Sequence, residues 1–148
     1  MNQLDKLNTL IDQLESKLSH HPTNTLRSTN ISSLKALYHA LELNDKVKKF
    51  DELFEYKAMN LTGISLQDED FADIRQGRYV QIICISYERN AQGKNVSKNS
   101  SLGYFGKAEK LTDLRKREIL EFVLRWRYEK AFRHTEVYEA LLDKLAQI

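Results

Sequence analysis

The amino-acid sequence predicts a predominantly helical α+β fold in one domain: three N-terminal helices, one β-hairpin in the middle, and one or two long C-terminal helices. Three observations carry this. Apolar residues recur at three- and four-residue spacing before residue 59 and after residue 107. Gly and Pro are absent from Lys107 to Ile148. One run, Arg78–Glu88, is β-branched and aromatic as strands are. The domain, 1–148, therefore divides into a helical part (1–59), an irregular and hairpin part (60–106), and a basic helix with a C-terminal helix (107–148).

Leu4, Leu7, Ile11, Leu14 and Leu18 alternate spacings of three and four, so residues 2–19 read as an amphipathic helix with a narrow apolar seam. His20-His21-Pro22 is the expected stop, because proline disfavours helical geometry in the residue before it. Residues Thr23–Ile31 read as a polar loop. Ser32 or Ser33 is the expected cap of a second helix through Leu43, with Leu34, Leu37, Tyr38 and Leu41 on one face. A third helix is predicted to run to about Met59, with Val47, Phe50, Leu53, Phe54 and Ala58 inward. The acidic group Asp68, Glu69, Asp70 and Asp73 reads as a solvated loop, since it lacks the glycine-containing spacing of a calcium-binding loop.

In the strand, apolar residues occupy both faces at the centre, which predicts a covered or centrally paired position. Asn90-Ala-Gln-Gly93 is a turn signal. The expected partner is Asn95–Phe105, giving a hairpin with a long polar tip. In Leu111–His134, Thr112 is the expected N-cap, with Asp113 at the positive end of the helix dipole. Arg117, Glu121, Arg125, Glu129 and Arg133 alternate in sign at four-residue steps, as a solvated ladder does. Thr135 is the expected cap of a last helix bearing Val137, Leu141, Leu145 and Ile148, unless the basic helix simply continues.

At 148 residues the chain can bury about two-thirds of its unfolded surface. A hydrophobic content of 41% with 30% charge excludes disorder over the whole chain. The single cysteine, Cys84, lies in an apolar run and is expected to be a buried, inert thiol. The first residues mix charges and hold neither a signal-like apolar core nor a membrane-length span, so the expectation is a cytoplasmic protein without membrane contact.

The net charge of +2 conceals an asymmetry: −4 over residues 1–74, +8 over 75–134 and −2 over 135–148. A locally basic half points to a polyanion, and the leading expectation is a nucleic-acid-binding accessory protein, with DNA and RNA undistinguished. Its expected contacts are Arg89, Lys94 and Lys98 at the hairpin tip, Lys107, Arg115, Lys116 and Arg127 on and before the basic helix, and Tyr104 as a stacking group. The alternative is a homodimeric interaction or adaptor protein that joins its partner through the two apolar seams.

A third reading rests on Arg127 and His134, seven residues apart on one helical face. Arg-x6-His is similar to the Arg-x4–6-His motif of HEPN ribonucleases. That resemblance implies metal-independent RNA cleavage, with His134 in acid–base chemistry on the ribose hydroxyl and Arg127 stabilising phosphorane-like charge. The predicted strand departs from the all-α HEPN domain. No phosphate loop, nucleophile elbow or zinc spacing is present, so no cofactor or metal is expected.

Overall fold

The computed structural model describes residues 2–13 and 24–148, together with the helical backbone between them. The architecture is α+β and mainly helical. Three N-terminal helical segments precede a three-stranded antiparallel sheet, and one long helix follows it. The first segment is α1, Gln3–Ala40; the next two are 3-10 turns, Leu43–Asp45 and Phe50–Glu55. The strands β1 (Ala58–Thr62), β2 (Tyr79–Arg89) and β3 (Asn95–Lys107) lie in that order, and α2 spans Asp113–Lys144. Among the described residues no helix is long and apolar enough to cross a membrane.

Several boundaries differ from the sequence reading. The predicted first and second helices are one, and residues 24–31, read as a loop, are helical. Their polarity has a tertiary cause. Arg27 and Asn30 face α2, where Arg27 pairs with Glu129 and Glu136 and Asn30 bonds Arg125, so polar residues line a helix contact rather than a loop. The predicted stop at His20-His21-Pro22 does not occur, because the helical backbone of α1 runs through it; the side chains of Leu14 and Leu18 of the seam fall outside the described residues. Ser32 and Ser33 lie inside α1 and cap nothing.

The predicted third helix ends early. Trp126 Nε1 donates to Leu53 O at 2.8 Å and Lys130 Nζ to Phe54 O at 2.6 Å, so α2 side chains satisfy carbonyls that a continuing helix would have bonded. The chain then turns extended, and β1 pairs with β2, with Met59 opposite Cys84 and Leu61 opposite Ile82. Residues 63–78 form an ordered loop closed by an Ile64–Ile74 bridge and by Arg75 N to Gly63 O at 2.8 Å. Asp70 is not simply solvated: it accepts from Ser65 Oγ and from Arg75, which together hold its carboxyl below the ordinary carboxylate value. Gly63 sits at φ +82°, where a Cβ would also meet Val80 Cγ2 at 2.8 Å.

The core lies between the helices and one face of the sheet. Val80, Ile82 and Cys84 of β2 are fully buried with Leu34 of α1 and Ile119, Phe122 and Val123 of α2. Burial raises the Cys84 thiol to about 12, as an inert cysteine requires. Thr112 caps α2 as expected, its Oγ1 accepting from Arg115 N at 3.1 Å. Thr135 starts no new helix; its hydroxyl donates back to Ala131 O, and α2 runs on to Lys144. The charged ladder of α2 is paired, but it is not a water-facing stripe throughout. Glu129 is 0% exposed and accepts from Arg27 Nε at 2.8 Å, from Arg27 Nη2 at 2.9 Å, and from Arg133 at 3.1 Å. Burial alone would raise its carboxyl; the arginine hydrogen bonds outweigh that and hold it low.

Candidate nucleic-acid interface

A strand places successive side chains on opposite faces, so the buried Val80, Ile82 and Cys84 put Tyr79, Gln81, Ile83, Ile85, Tyr87 and Arg89 on the other face. Register carries that face across the sheet. On β3 it holds Lys107, Tyr104, Ser101, Asn99, Ser97 and Asn95; on β1 it holds Thr62, Asn60 and Ala58. None of these residues is buried, and none carries a carboxylate. Tyr79 and Tyr104, 49% and 58% exposed, stand side by side with ring centroids 5.8 Å apart and planes tilted by 32°. Irregular register between Tyr79 and Gln81 and between Ile82 and Ile83 bends β3 near the tyrosines; Gly106, at φ +81°, allows one of these departures.

Beyond Ser86 and Lys98 the two strands leave the core and form an arm exposed on both sides. The predicted long tip is in fact paired as far as Arg89 and Asn95. Only residues 90–94 turn, held by Asn90 Oδ1, which accepts from Gln92 N at 2.9 Å and Lys94 N at 3.0 Å. The arm separates its cations. Arg89 lies on the open face, Lys94 in the turn, and Lys98 on the reverse side, where it pairs with Glu88 at 3.1 Å.

At the opposite end, Tyr104 borders a hollow of about 440 Å³ that also contacts Phe105, Lys110 and Arg115, with Glu42 as its one carboxylate. Lys107 stands beside Tyr79 in the register. Arg115 donates to Ala40 O at 3.2 Å, so it covers a free carbonyl at the end of α1 as well as lining the hollow. Arg89 and Lys94 at one end, and Lys107, Lys110 and Arg115 at the other, thus bracket an uncharged aromatic and amide platform.

Two predicted contacts lie elsewhere. Lys116 borders a separate groove of about 650 Å³ between α1, α2 and the 63–78 loop, lined largely by Phe71, Leu120, Leu124 and Tyr128. Arg127 stands at the free edge of β1, where Nε and Nη2 both donate to Met59 O, at 3.1 and 2.9 Å, and Nη2 also donates to Asn60 Oδ1 at 2.9 Å. It blunts an edge that could otherwise pair with another strand. Arg127 and His134 do line one hollow of about 410 Å³, together with Lys57 and Lys130. Burial first, then the neighbouring charges of Lys57 and Arg133, lower the Lys130 ammonium. Among the described residues no group of histidine, cysteine or acidic side chains forms a metal cluster.

The sequence reading missed Tyr79 and the open face itself. The signal was present in the odd-numbered positions of Tyr79–Arg89, but Ile83 and Ile85 at the centre disguised it as a second buried face. No protein-family model, curated protein or solved structure matches the chain.

Proposed function

We propose that this protein binds single-stranded nucleic acid across the open face of its sheet, as an accessory protein rather than an enzyme. The observation that carries the reading is a solvent-open sheet face that holds a tyrosine pair, lacks any carboxylate, and has cations at both ends. Exposed aromatic rings stack on unpaired bases whatever their identity. Amides and hydroxyls such as Gln81, Asn99 and Ser97 bond phosphate oxygens or base edges, and the flanking arginines and lysines neutralise phosphates with release of counterions. Eleven residues of β2 give the face a length of roughly 35 Å, enough for several nucleotides. Bases locked in a duplex present no free ring face to such a platform, so single strands are preferred.

The test is fluorescence anisotropy with labelled single- and double-stranded DNA and RNA at rising salt. The expected result is preferential binding of single strands, weakening steeply with salt, and further loss in Tyr79→Ala and Tyr104→Ala. Absence of binding at low salt overturns the proposal.

A further inference from the structure

We infer that the parts of α1 and α2 that project beyond the core are an interface with a second copy of this chain, closing as a four-helix bundle. The antiparallel contact of the two helices runs from Arg115 against Ala40, through Arg125 against Asn30, to Glu136 against Arg27. It therefore sends residues 2–13 of α1 and residues 134–148 away from the core in the same direction. Every residue of these two segments is exposed. Among the described residues they hold ten of the twenty exposed large apolar side chains, from Leu4, Leu7 and Ile11 at one end to Tyr138, Leu141 and Leu145 at the other.

The pattern is that of a helix seam rather than scattered surface residues. Leu4, Leu7 and Ile11 are spaced three then four, and so are Tyr138, Leu141 and Leu145, the last at the C-cap of α2. Such seams are buried between packed helices in bundles and coiled coils. The area agrees. A folded monomer of this mass exposes about 7,800 Å², whereas this chain exposes 10784 Å². The excess, on the order of 3,000 Å², is shared between these projecting segments and the hairpin arm, and leaves room for the roughly 800 Å² per partner of a standard interface. Two identical copies meeting about a two-fold axis bury the same patch on each, so the seams complete one another without a different partner.

The polar side of these segments argues against two other occupants. It carries Asp5, Asp12, Glu139 and Asp143 against Lys6 and Lys144, while Glu136 is neutralised by Arg27. An acidic rim repels anionic lipid and nucleic acid alike. Between two copies it repels mildly, and salt screens that repulsion, so the dimer persists or tightens at high salt while phosphate binding weakens. A failure of dimerisation and a failure of nucleic-acid binding are thus read separately.

The experiment is the solution mass of the full chain without nucleic acid, by sedimentation equilibrium across the micromolar range at low and high salt. The expected mass is twice 17.3 kDa. Leu7→Glu and Leu141→Glu should each return the monomer mass while emission from the buried Trp126 stays unchanged. The milder Leu141→Ser keeps the test alive if a charge disturbs the helix, and should weaken the dimer by about tenfold or more. A wild-type mass of 17.3 kDa throughout overturns the inference, as does a dimer indifferent to all three substitutions.

Discussion

The two faces of β2 differ by one residue in sequence and by most of their environment in space. Val80, Ile82 and Cys84 have no solvent contact, whereas Tyr79, Gln81, Ile83, Ile85, Tyr87 and Arg89 all retain some. The covered face is apolar and joins the sheet to the helices. The open face mixes rings, amides and a cation, with two isoleucines held between β1 and β3. The difference teaches that the strand's second set of apolar residues is not a second core. Ile83 and Ile85 gain their partial cover from Asn60, Ala58, Ser101 and Asn99 across the sheet rather than from another layer.

The contrast breaks most directly under truncation of isoleucines one position apart. Ile82→Ala should cost roughly 2–5 kcal/mol, by lost burial and the cavity left behind. Ile83→Ala should cost below about 1 kcal/mol, since a half-open site relaxes and admits water. Urea denaturation measures both. Equal costs would mean that the outer face is covered.

Acid sharpens the comparison, because Val80, Ile82 and Cys84 hold no carboxylate while the α1–α2 contact does. The Glu129 carboxyl lies below its ordinary value of 4.5 in the folded chain. Its contribution is complete above that ordinary value and is lost as pH falls through the lower, folded one. Glu129→Gln should cost roughly 1–3 kcal/mol at neutral pH, by leaving Arg27 and Arg133 without their charged acceptor. It should also flatten the acid limb of stability against pH. An unchanged acid limb would place the acid-sensitive group elsewhere.

On the open face, Tyr104→Ala should leave stability within about 0.5 kcal/mol. Loss of one stacked base should weaken single-strand binding by roughly 1–3 kcal/mol, or about 5- to 150-fold. The smallest expected effect is that of Arg89→Ala, which removes one phosphate contact and lowers the slope of log affinity against log salt by about one. A Tyr104→Ala protein that binds normally but unfolds easily would reverse the roles of the two faces.

Much of this was legible in the sequence where the cause is local. The strand at Arg78–Glu88 is nearly β2, Thr112 caps α2, and Leu34, Tyr38 and Leu41 are core, because β propensity, capping and periodicity act within a few residues. The rest is set by residues far apart in the chain. Ala58 and Met59 read as the end of a helix, and residues 60–62 as irregular chain, until β2 pairs with them. Residues 24–31 read as a loop until Glu129 and Arg125 meet them. Of the expected nucleic-acid contacts, Arg89, Tyr104 and Lys107 share the open face. Lys98 lies behind it, and Arg127 faces a carbonyl 68 residues away.

The arm that leaves the core after Ser86 touches little but itself, so its length is free to vary where the core's is not. The two-residue repeat of a strand limits how. Adding two residues to each strand where the arm leaves the core, between Ser86 and Tyr87 and between Ser97 and Lys98, would extend the platform and keep Tyr87 and Arg89 pointing outward. Adding one to each would turn both to the opposite side and bring Glu88 onto the platform. Even-numbered insertions should therefore be tolerated, and odd-numbered ones should exchange an attractive surface for a repulsive one.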